Sequence, residues 1–300
     1  YLDEKKEQMK WEKEFYHTLS SLDFLPNTPT LVNAGTKLNL AGCYVLGIGD
    51  SLESIYDALK TSALIFQSGG GVGYSFSALR EEGSAIASTG KSASGPVSFM
   101  EVFDRSCETM KEGNIRRGAN MAVLRVDHPD IFTFITEKAK GRLQNFNVSV
   151  GVSDEFMKGV IHNREYFLRD HKGQKKEKLN AREVFDFLCG QAWECGDPGL
   201  LFFDEINRKH PLQRVGKIEA TNPCAEQPLL ANEACVLGSI NLVHMLQGEK
   251  IDWPNLAKTV AISVRFLDNV VSVNSYPTPK IQQMCLANRK IGLGVMGWAD

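Results

Sequence analysis

The chain has 300 residues, of which 43% are hydrophobic and 23% charged, and this length suffices for one large core or two modest domains. A formal net charge of -2 and an isoelectric point near 6.4 argue against a general affinity for nucleic acid or for membranes. Seven widely spaced cysteines, with no zinc motif, signal peptide or bilayer-spanning apolar run in the sequence, predict a protein of the reducing cytoplasm.

The N-terminal segment predicts a helix, a polar loop and a strand, in that order. Residues 1–22 are rich in Glu and Lys and predict an amphipathic surface helix. Residues 26–36 are dense in Pro, Asn, Thr and Gly, which indicates an irregular loop, either a capping turn or a site for an anion. Residues 40–46 are apolar and predict a buried strand that carries Cys43.

A second helix is predicted to begin at a cap formed by Asp50 or Ser51 and to end near Gln67, before a glycine-rich segment. This segment, residues 68–73, is neither a Walker phosphate loop, because no Gly-Lys-Ser/Thr follows, nor a convincing dinucleotide fingerprint. Its four glycines imply positive φ angles or a close approach of the backbone to another group. Termination of the helix accounts for one or two of them.

Two loops flank the next predicted helix, residues 96–111. Residues 83–95 are nearly all small, so this loop has few side chains to pack and is predicted to be mobile. Residues 112–120 carry Arg116 and Arg117 between glycines. That pattern suits phosphate recognition, and a solvated basic turn is the alternative.

The remainder alternates between helices and strands, which predicts an α/β fold with a mainly parallel sheet or barrel. Only residues 1–25 are predicted to stand apart, as a helical segment. The chain has no initial Met and stops directly after a predicted strand, which indicates a piece of a longer protein. The predicted helices are residues 129–139, 153–161, 180–194, 254–274 and 278–288, and the predicted strands are residues 121–126, 200–203 and 291–296.

The residues that point most directly to chemistry are in the stretch Thr221-Asn-Pro-Cys-Ala-Glu-Gln-Pro228. Cys224 lies between two prolines, which stiffen its backbone and prevent a helix. Asn222 and Glu226 stand two residues to either side, so in an extended segment both side chains share the face of Cys224. An amide, a thiol and a carboxylate on one face indicate a catalytic site, whereas a single cysteine is by default an inert core residue.

The sequence Asn-Pro-Cys-Ala-Glu resembles the active-site finger loop of ribonucleotide reductase catalytic chains. The resemblance implies that Cys224 is the transient thiyl radical and that Asn222 and Glu226 hold and deprotonate the substrate ribose. Cys43, in Leu-Ala-Gly-Cys-Tyr-Val-Leu, and Cys235, in Glu-Ala-Cys-Val-Leu-Gly-Ser-Ile-Asn-Leu, resemble the two members of the family's redox pair. For either cysteine alone, a packed strand residue would be the preferred interpretation.

The resemblance also implies a fold and further sites. The fold is a ten-stranded α/β barrel of two half-sheets with a central finger loop, of which residues 26–300 would form the N-terminal and central part. Arginines and small residues in the flanking loops would recognise nucleotides. The implied residues are Thr28, Asn33, Gly42, Asn145 and Asn222 for substrate, Asp50, Ser51, Ile55, Arg80 and Ser88 for a deoxynucleotide or ATP effector with Mg²⁺, and Asn114, Arg116 and Arg117 for substrate selection.

The sequences of residues 26–36 and 116–130 are most similar to those of the adenosylcobalamin-dependent branch of the family, class II. The class II branch implies adenosylcobalamin as the source of the radical. The family resemblance as a whole implies a ribonucleotide substrate, with a diphosphate favoured, a thioredoxin- or glutaredoxin-type reductant and a homodimer. Two alternatives stay open. One is a class I large chain that receives its radical from a separate metal-containing subunit, and the other is a non-catalytic nucleotide-binding regulator.

Overall fold

The computed structural model describes residues 2–86, 90–110 and 118–300, except for the side chains of residues 2–4. Contacts divide the chain into two compact units. The central unit is Cys43–Glu233, and the terminal unit combines the described residues up to Gly42 with Ala234–Asp300. No helix within the described residues is both long and apolar enough to cross a bilayer.

The predicted α/β class is confirmed, since helices and strands alternate through most of the described chain. The helices are α1 (Leu2–Ser20), α2 (Thr28–Asn33), α3 (Leu52–Gln67), α4 (Gly95–Thr109), α5 (Ile131–Thr136), α6 (Asp154–Ile161), α7 (Ala181–Cys195), α8 (Phe203–Lys209), α9 (Trp253–Val273) and α10 (Pro279–Asn288). The strands are β1 (Phe24–Pro26), β2 (Cys43–Leu46), β3 (Gly71–Ser75), β4 (Asn120–Arg125), β5 (Phe146–Val152), β6 (Glu165–Arg169), β7 (Lys175–Asn180), β8 (Gly199–Phe202), β9 (Ala220–Thr221), β10 (Pro228–Leu229), β11 (Glu233–Asn241), β12 (Leu246–Gln247), β13 (Lys250–Ile251) and β14 (Ile291–Met296).

The central unit is built on a parallel sheet in which β2, β3, β4, β5 and β8 lie side by side in that order. Helices connect successive strands, as parallel pairing requires. One face of the sheet carries a cluster of aromatic rings, in which Tyr74 packs edge-on against Phe103 of α4 with their centroids 4.9 Å apart. This face is therefore the apolar core of the unit, and the opposite face is available for other contacts.

Strand β3 explains the glycine-rich segment of the sequence. Its residues alternate between large and small, so Val72 and Tyr74 enter the aromatic core while Gly71 and Gly73 lie on the opposite face. A Cβ atom on Gly73 would lie 1.6 Å from the carbonyl oxygen of Thr221, which leaves room for glycine alone. Gly69, with a φ of +78°, follows the C-cap of α3 and turns the chain away from the helix. The expectation of positive φ or close backbone approach is confirmed, although part of this segment is a strand rather than a loop.

In the terminal unit, β11 pairs with β1 in antiparallel and with β14 in parallel orientation. Helix α9 packs on α1 and β1 through aromatic contacts, because the ring of Phe266 meets Phe15 of α1 at 5.3 Å and Phe24 of β1 at 5.6 Å between centroids. The guanidinium of Arg265 lies 4.4 Å from the ring centroid of Trp11. The predicted N-terminal helix is thus present and packs on its own unit through one face.

Several elements differ from the sequence-based expectation. The predicted irregular loop at residues 26–36 is wrong in part, because it contains helix α2, whose first turn is capped by Oδ1 of Asn27 accepting from the Thr30 backbone at 3.2 Å. Pro29 is compatible with that helix because it occupies the first turn, where an N–H is not required. The hairpin of β6 and β7 and helix α8 were not predicted, and α5 is shorter than expected.

Candidate active site

Strands β9 and β10 pair in antiparallel orientation and form a hairpin, here called the finger hairpin (residues 220–229). Its tip is a closed turn. The Ala225 backbone donates to the carbonyl oxygen of Asn222 at 3.0 Å, and the Gln227 backbone donates to Oδ1 of Asn222 at 2.9 Å. Ala225 adopts a positive φ of 66° to close the turn. The expectation of an extended segment is therefore wrong at this point.

The side chains of Asn222 and Glu226 nevertheless converge, and the thiol between them is that of Cys43. Nδ2 of Asn222 donates to Sγ of Cys43 at 3.2 Å, and that thiol lies 3.7 Å from Oε1 of Glu226. Asn222 is fully buried and Cys43 is nearly so, whereas Glu226 and Cys224 are exposed. A carboxylate within reach of a thiol can exchange a proton with it, and the buried amide fixes where the thiol lies.

The finger hairpin is seated on the small-residue face of the central sheet. Gly71 would bring a Cβ to 2.8 Å from the ring of Pro223, and Gly73 meets Thr221 as described above. Nδ2 of Asn147, on β5, donates to the carbonyl oxygen of Pro223 at 2.7 Å. Sequence reasoning missed Asn147 because it stands in an ordinary strand, although the alternation of glycines along β3 could have revealed the seat.

Cys235 lies in β11 of the terminal unit and is completely buried. In the same unit, the Ala234 backbone donates to Sγ of Cys285 at 3.2 Å, which fixes the strand directly before Cys235. All seven cysteines are within the described residues, and none of them forms a disulfide. The pairing of Cys43 with Cys235 stays a prediction.

The residues predicted to bind substrate have varied surroundings. Thr28 begins α2, and the buried Asn33 side chain donates from Nδ2 to the carbonyl oxygen of Asn39 at 2.6 Å. Asn145 precedes β5, where Nδ2 donates to the carbonyl oxygen of Asp104 at 3.2 Å and to Glu108 at 3.0 Å. The Asn145 amide is thus bound to helix α4. Gly42 is the last residue of the N-terminal segment of the terminal unit. Their roles in substrate binding stay predictions.

An ion pair between Asp50 and Arg80 lies in the middle of the residues that are predicted to bind an effector. The Asp50 carboxylate accepts hydrogen bonds from the Arg80 backbone at 3.1 Å and from Nε of the Arg80 side chain at 2.9 Å. The side-chain hydrogen bond and the negative charge of Asp50 raise the pKa of Arg80. Ser51 caps α3 by accepting from the Ser54 backbone at 3.1 Å, and the Ile55 side chain is buried in the core. Ser88, Asn114, Arg116 and Arg117 lie outside the described residues.

Within the described part of the chain, no three His, Cys, Asp or Glu side chains are grouped so that they could hold a metal ion. The chemical groups gathered at the finger hairpin are thiols, an amide and a carboxylate. Such a set suits thiol redox chemistry and proton transfer.

Comparisons with known proteins match the whole chain to one family. A family model described as "Ribonucleotide reductase, barrel domain" matches residues 41–300, and one described as "Ribonucleotide reductase, all-alpha domain" matches residues 1–39. The chain is 51% identical to the vitamin B12-dependent ribonucleoside-diphosphate reductase of Thermoplasma acidophilum over 292 residues, which cover 95% of this chain and 38% of that protein.

A protein of the same description from Mycobacterium tuberculosis is 49% identical over 295 residues, covering 97% of this chain and 43% of that protein. The ribonucleoside-diphosphate reductase subunit alpha of Chlamydia pneumoniae is 29% identical over 337 residues, covering 100% of this chain and 32% of that protein. The chain thus spans less than half the length of these curated relatives. On the strength of these matches and of the sequence motif at the finger hairpin, the chain belongs to the ribonucleotide reductase family.

Proposed function

We propose that the full-length protein reduces ribonucleotides to 2′-deoxyribonucleotides and that residues 220–229 carry its reactive thiol. The observation that supports this most is the placement of Cys43 between the Asn222 amide and the Glu226 carboxylate, beside the hairpin tip that bears Cys224. A non-catalytic nucleotide-binding regulator has no need for such a set. The relatives' names, ribonucleoside-diphosphate reductase, favour a diphosphate substrate.

Each residue then has a distinct role. Cys224, exposed at the tip, removes a hydrogen atom from the substrate ribose. Glu226 accepts the proton of a ribose hydroxyl, and Asn222 holds the neighbouring groups in place. Cys43 and Cys235 supply two electrons and two protons and become a disulfide, the 2′-hydroxyl leaves as water, and Cys224 returns its hydrogen atom to the ribose. A thioredoxin- or glutaredoxin-type protein then reduces the disulfide again.

The cofactor that we propose is adenosylcobalamin, and relatives whose names call them vitamin B12-dependent support a cobalamin. The residues fit this assignment, since the Cys224 thiol is exposed at the tip of the hairpin and can be reached from outside it. When bound, adenosylcobalamin would supply the radical that takes the hydrogen atom from that thiol. The protein positions the Cys224 thiol at the hairpin tip and holds the side chains of Asn222 and Glu226 nearby through their contacts with Cys43.

Addition of adenosylcobalamin and a dithiol to the purified full-length protein is expected to start reduction of a ribonucleoside diphosphate. The measurement is deoxynucleotide formation with and without the cofactor. Hydroxocobalamin, which lacks the cobalt–carbon bond, is the matched control and should give no product. Activity without cobalamin that depends on a second, metal-bearing subunit would assign the protein to class I.

We also propose that Asp50, Ser51, Ile55 and Arg80 border a site for a deoxynucleotide or ATP effector with Mg²⁺, in a cytoplasmic homodimer. The Asp50–Arg80 ion pair supports this, because it fixes a planar cation beside a capped helix start. A guanidinium held in this way can meet phosphate oxygens in a forked geometry.

Arg80→Lys is therefore expected to weaken effector binding about ten-fold, because an ammonium cannot form the forked contact. Equilibrium binding of dNTPs to the full-length protein measures this change. The control is Arg182→Lys, which alters an exposed ion pair with Asp186 on α7. Equal effector affinity in the Arg80 variant and the wild type would contradict the proposed site.

A further inference from the structure

The backbone immediately before Cys224 is held by a side chain from another strand. The carbonyl oxygen of Pro223 accepts a hydrogen bond from Nδ2 of Asn147 at 2.7 Å. Because the peptide unit is planar, the oxygen of Pro223 and the amide nitrogen of Cys224 move as one rigid group. A group that fixes this oxygen therefore also limits the direction of the Cys224 side chain.

Asn147 is itself attached to a firmly held strand. Just before β5, the Asn145 backbone donates to Oδ1 of Asp104 on α4 at 2.8 Å. At the first residue of β5, the carbonyl oxygen of Phe146 accepts from Nζ of Lys138 at 2.8 Å. These contacts bind the beginning of β5 to α4 and to the turn that follows α5, so the Asn147 side chain extends from a firmly held strand.

The position of Asn147 in the sheet places it beside the finger hairpin. Asn147 is paired with Met121 on β4, and Met121 is paired with Gly73 on β3, so the three residues form one row across the sheet. Gly73 sets how near the hairpin backbone lies to the sheet, because no side chain stands between them. Asn147 adds a directional hydrogen bond at the edge of the same seat.

We propose that Asn147 is a positioning residue that fixes the Pro223–Cys224 peptide and thereby aims the Cys224 thiol. Asn147 acts through the backbone and does not touch the reacting atoms. Its catalytic consequence rests on the proposed function, whereas its effect on the hairpin tip does not. The two can therefore be tested separately in the full-length protein.

The most informative variant is Asn147→Asp, which keeps the shape of the side chain and replaces the N–H donor by a carboxylate that repels the Pro223 oxygen. Hydrogen exchange at the tip amides of Ala225 and Gln227 is expected to become about five- to ten-fold faster, as for the loss of one hydrogen bond. With the same variant, kcat should fall about 10- to 100-fold while KM stays within about two-fold, because misplacement of a reacting group slows chemistry more than binding. Asn147→Ala should show the same pattern without the added charge.

The control is Asn269→Asp, the same chemical change at an exposed position of α9, and it should leave both measurements at wild-type values. Unchanged exchange at the tip in both Asn147 variants would overturn the proposal. A raised KM with unaltered kcat would also overturn it, since that result places Asn147 on the substrate. If the wild type reduced no ribonucleotide, the proposed function would fail, and the exchange measurement would still decide the role of Asn147.

Discussion

Cys224→Ser is expected to remove all measurable ribonucleotide reduction from the full-length protein. A serine hydroxyl has nearly the same size as the thiol, so the turn at the tip should persist, but an O–H bond is much stronger than an S–H bond. The hydrogen atom of the hydroxyl therefore cannot be removed to form a radical on oxygen, and without that radical no hydrogen is taken from the ribose. The measurement is deoxynucleotide formation, with hydrogen exchange at Ala225 and Gln227 to confirm that the tip is intact.

The matched control is Cys189→Ser, because Cys189 is another exposed thiol of the central unit and lies on α7. That variant should keep wild-type turnover, which shows that loss of an exposed thiol alone has no effect. Product formation by the Cys224 variant at a substantial fraction of the wild-type rate would remove Cys224 from the proposed mechanism.

Gly73→Ala is expected to lower the free energy of unfolding by about 3 kcal/mol, at the upper end of the usual cost of overpacking, and to abolish activity. The added Cβ would lie 1.6 Å from the Thr221 carbonyl oxygen. Both groups belong to backbones, so no side-chain rotation can relieve the overlap. The finger hairpin must move away from β3, which breaks the contact between Asn222 and Cys43. Chemical denaturation and a turnover assay measure the two effects.

Gly190→Ala provides the comparison for this change. Gly190 lies in α7, is exposed, and has no atom within 4 Å of the position that a Cβ would take. The same substitution there should stabilise the protein by about 0.5–1 kcal/mol, because alanine loses less backbone entropy in a helix. If Gly73→Ala behaved like Gly190→Ala, the hairpin could not rest against β3 as described.

Much of the fold follows from local signals in the sequence. The cap at Ser51 predicts the beginning of α3, and the run Ile291–Met296 has the bounds of the predicted strand. The β6–β7 hairpin escaped prediction because Lys175–Asn180 has no apolar alternation. Its strands are instead held by their backbone pairing, by Lys175 lying 4.5 Å from the ring centroid of Phe167, and by packing on Phe156.

The sequence names residues for the candidate site, and their roles stay predictions, whereas the geometry of the site could not be predicted. The motif identifies Asn222, Cys224 and Glu226, but the turn depends on the positive φ of Ala225, which residue type does not indicate. The place of Cys43 between the amide and the carboxylate depends on contacts between parts of the chain that are far apart in sequence. No local sequence pattern points to Asn147, since its contact with Pro223 depends on which residues lie beside it in the sheet.

The seat of the finger hairpin also has a consequence for the order of folding. Gly73 and Thr221 are separated by roughly half of the chain, and contacts between such distant segments form slowly because a long loop must close first. The sheet that provides the seat has to exist before the hairpin can dock on it. Cys224 therefore reaches its final place late, and the hairpin can detach at a lower free-energy cost than unfolding of the sheet beneath it.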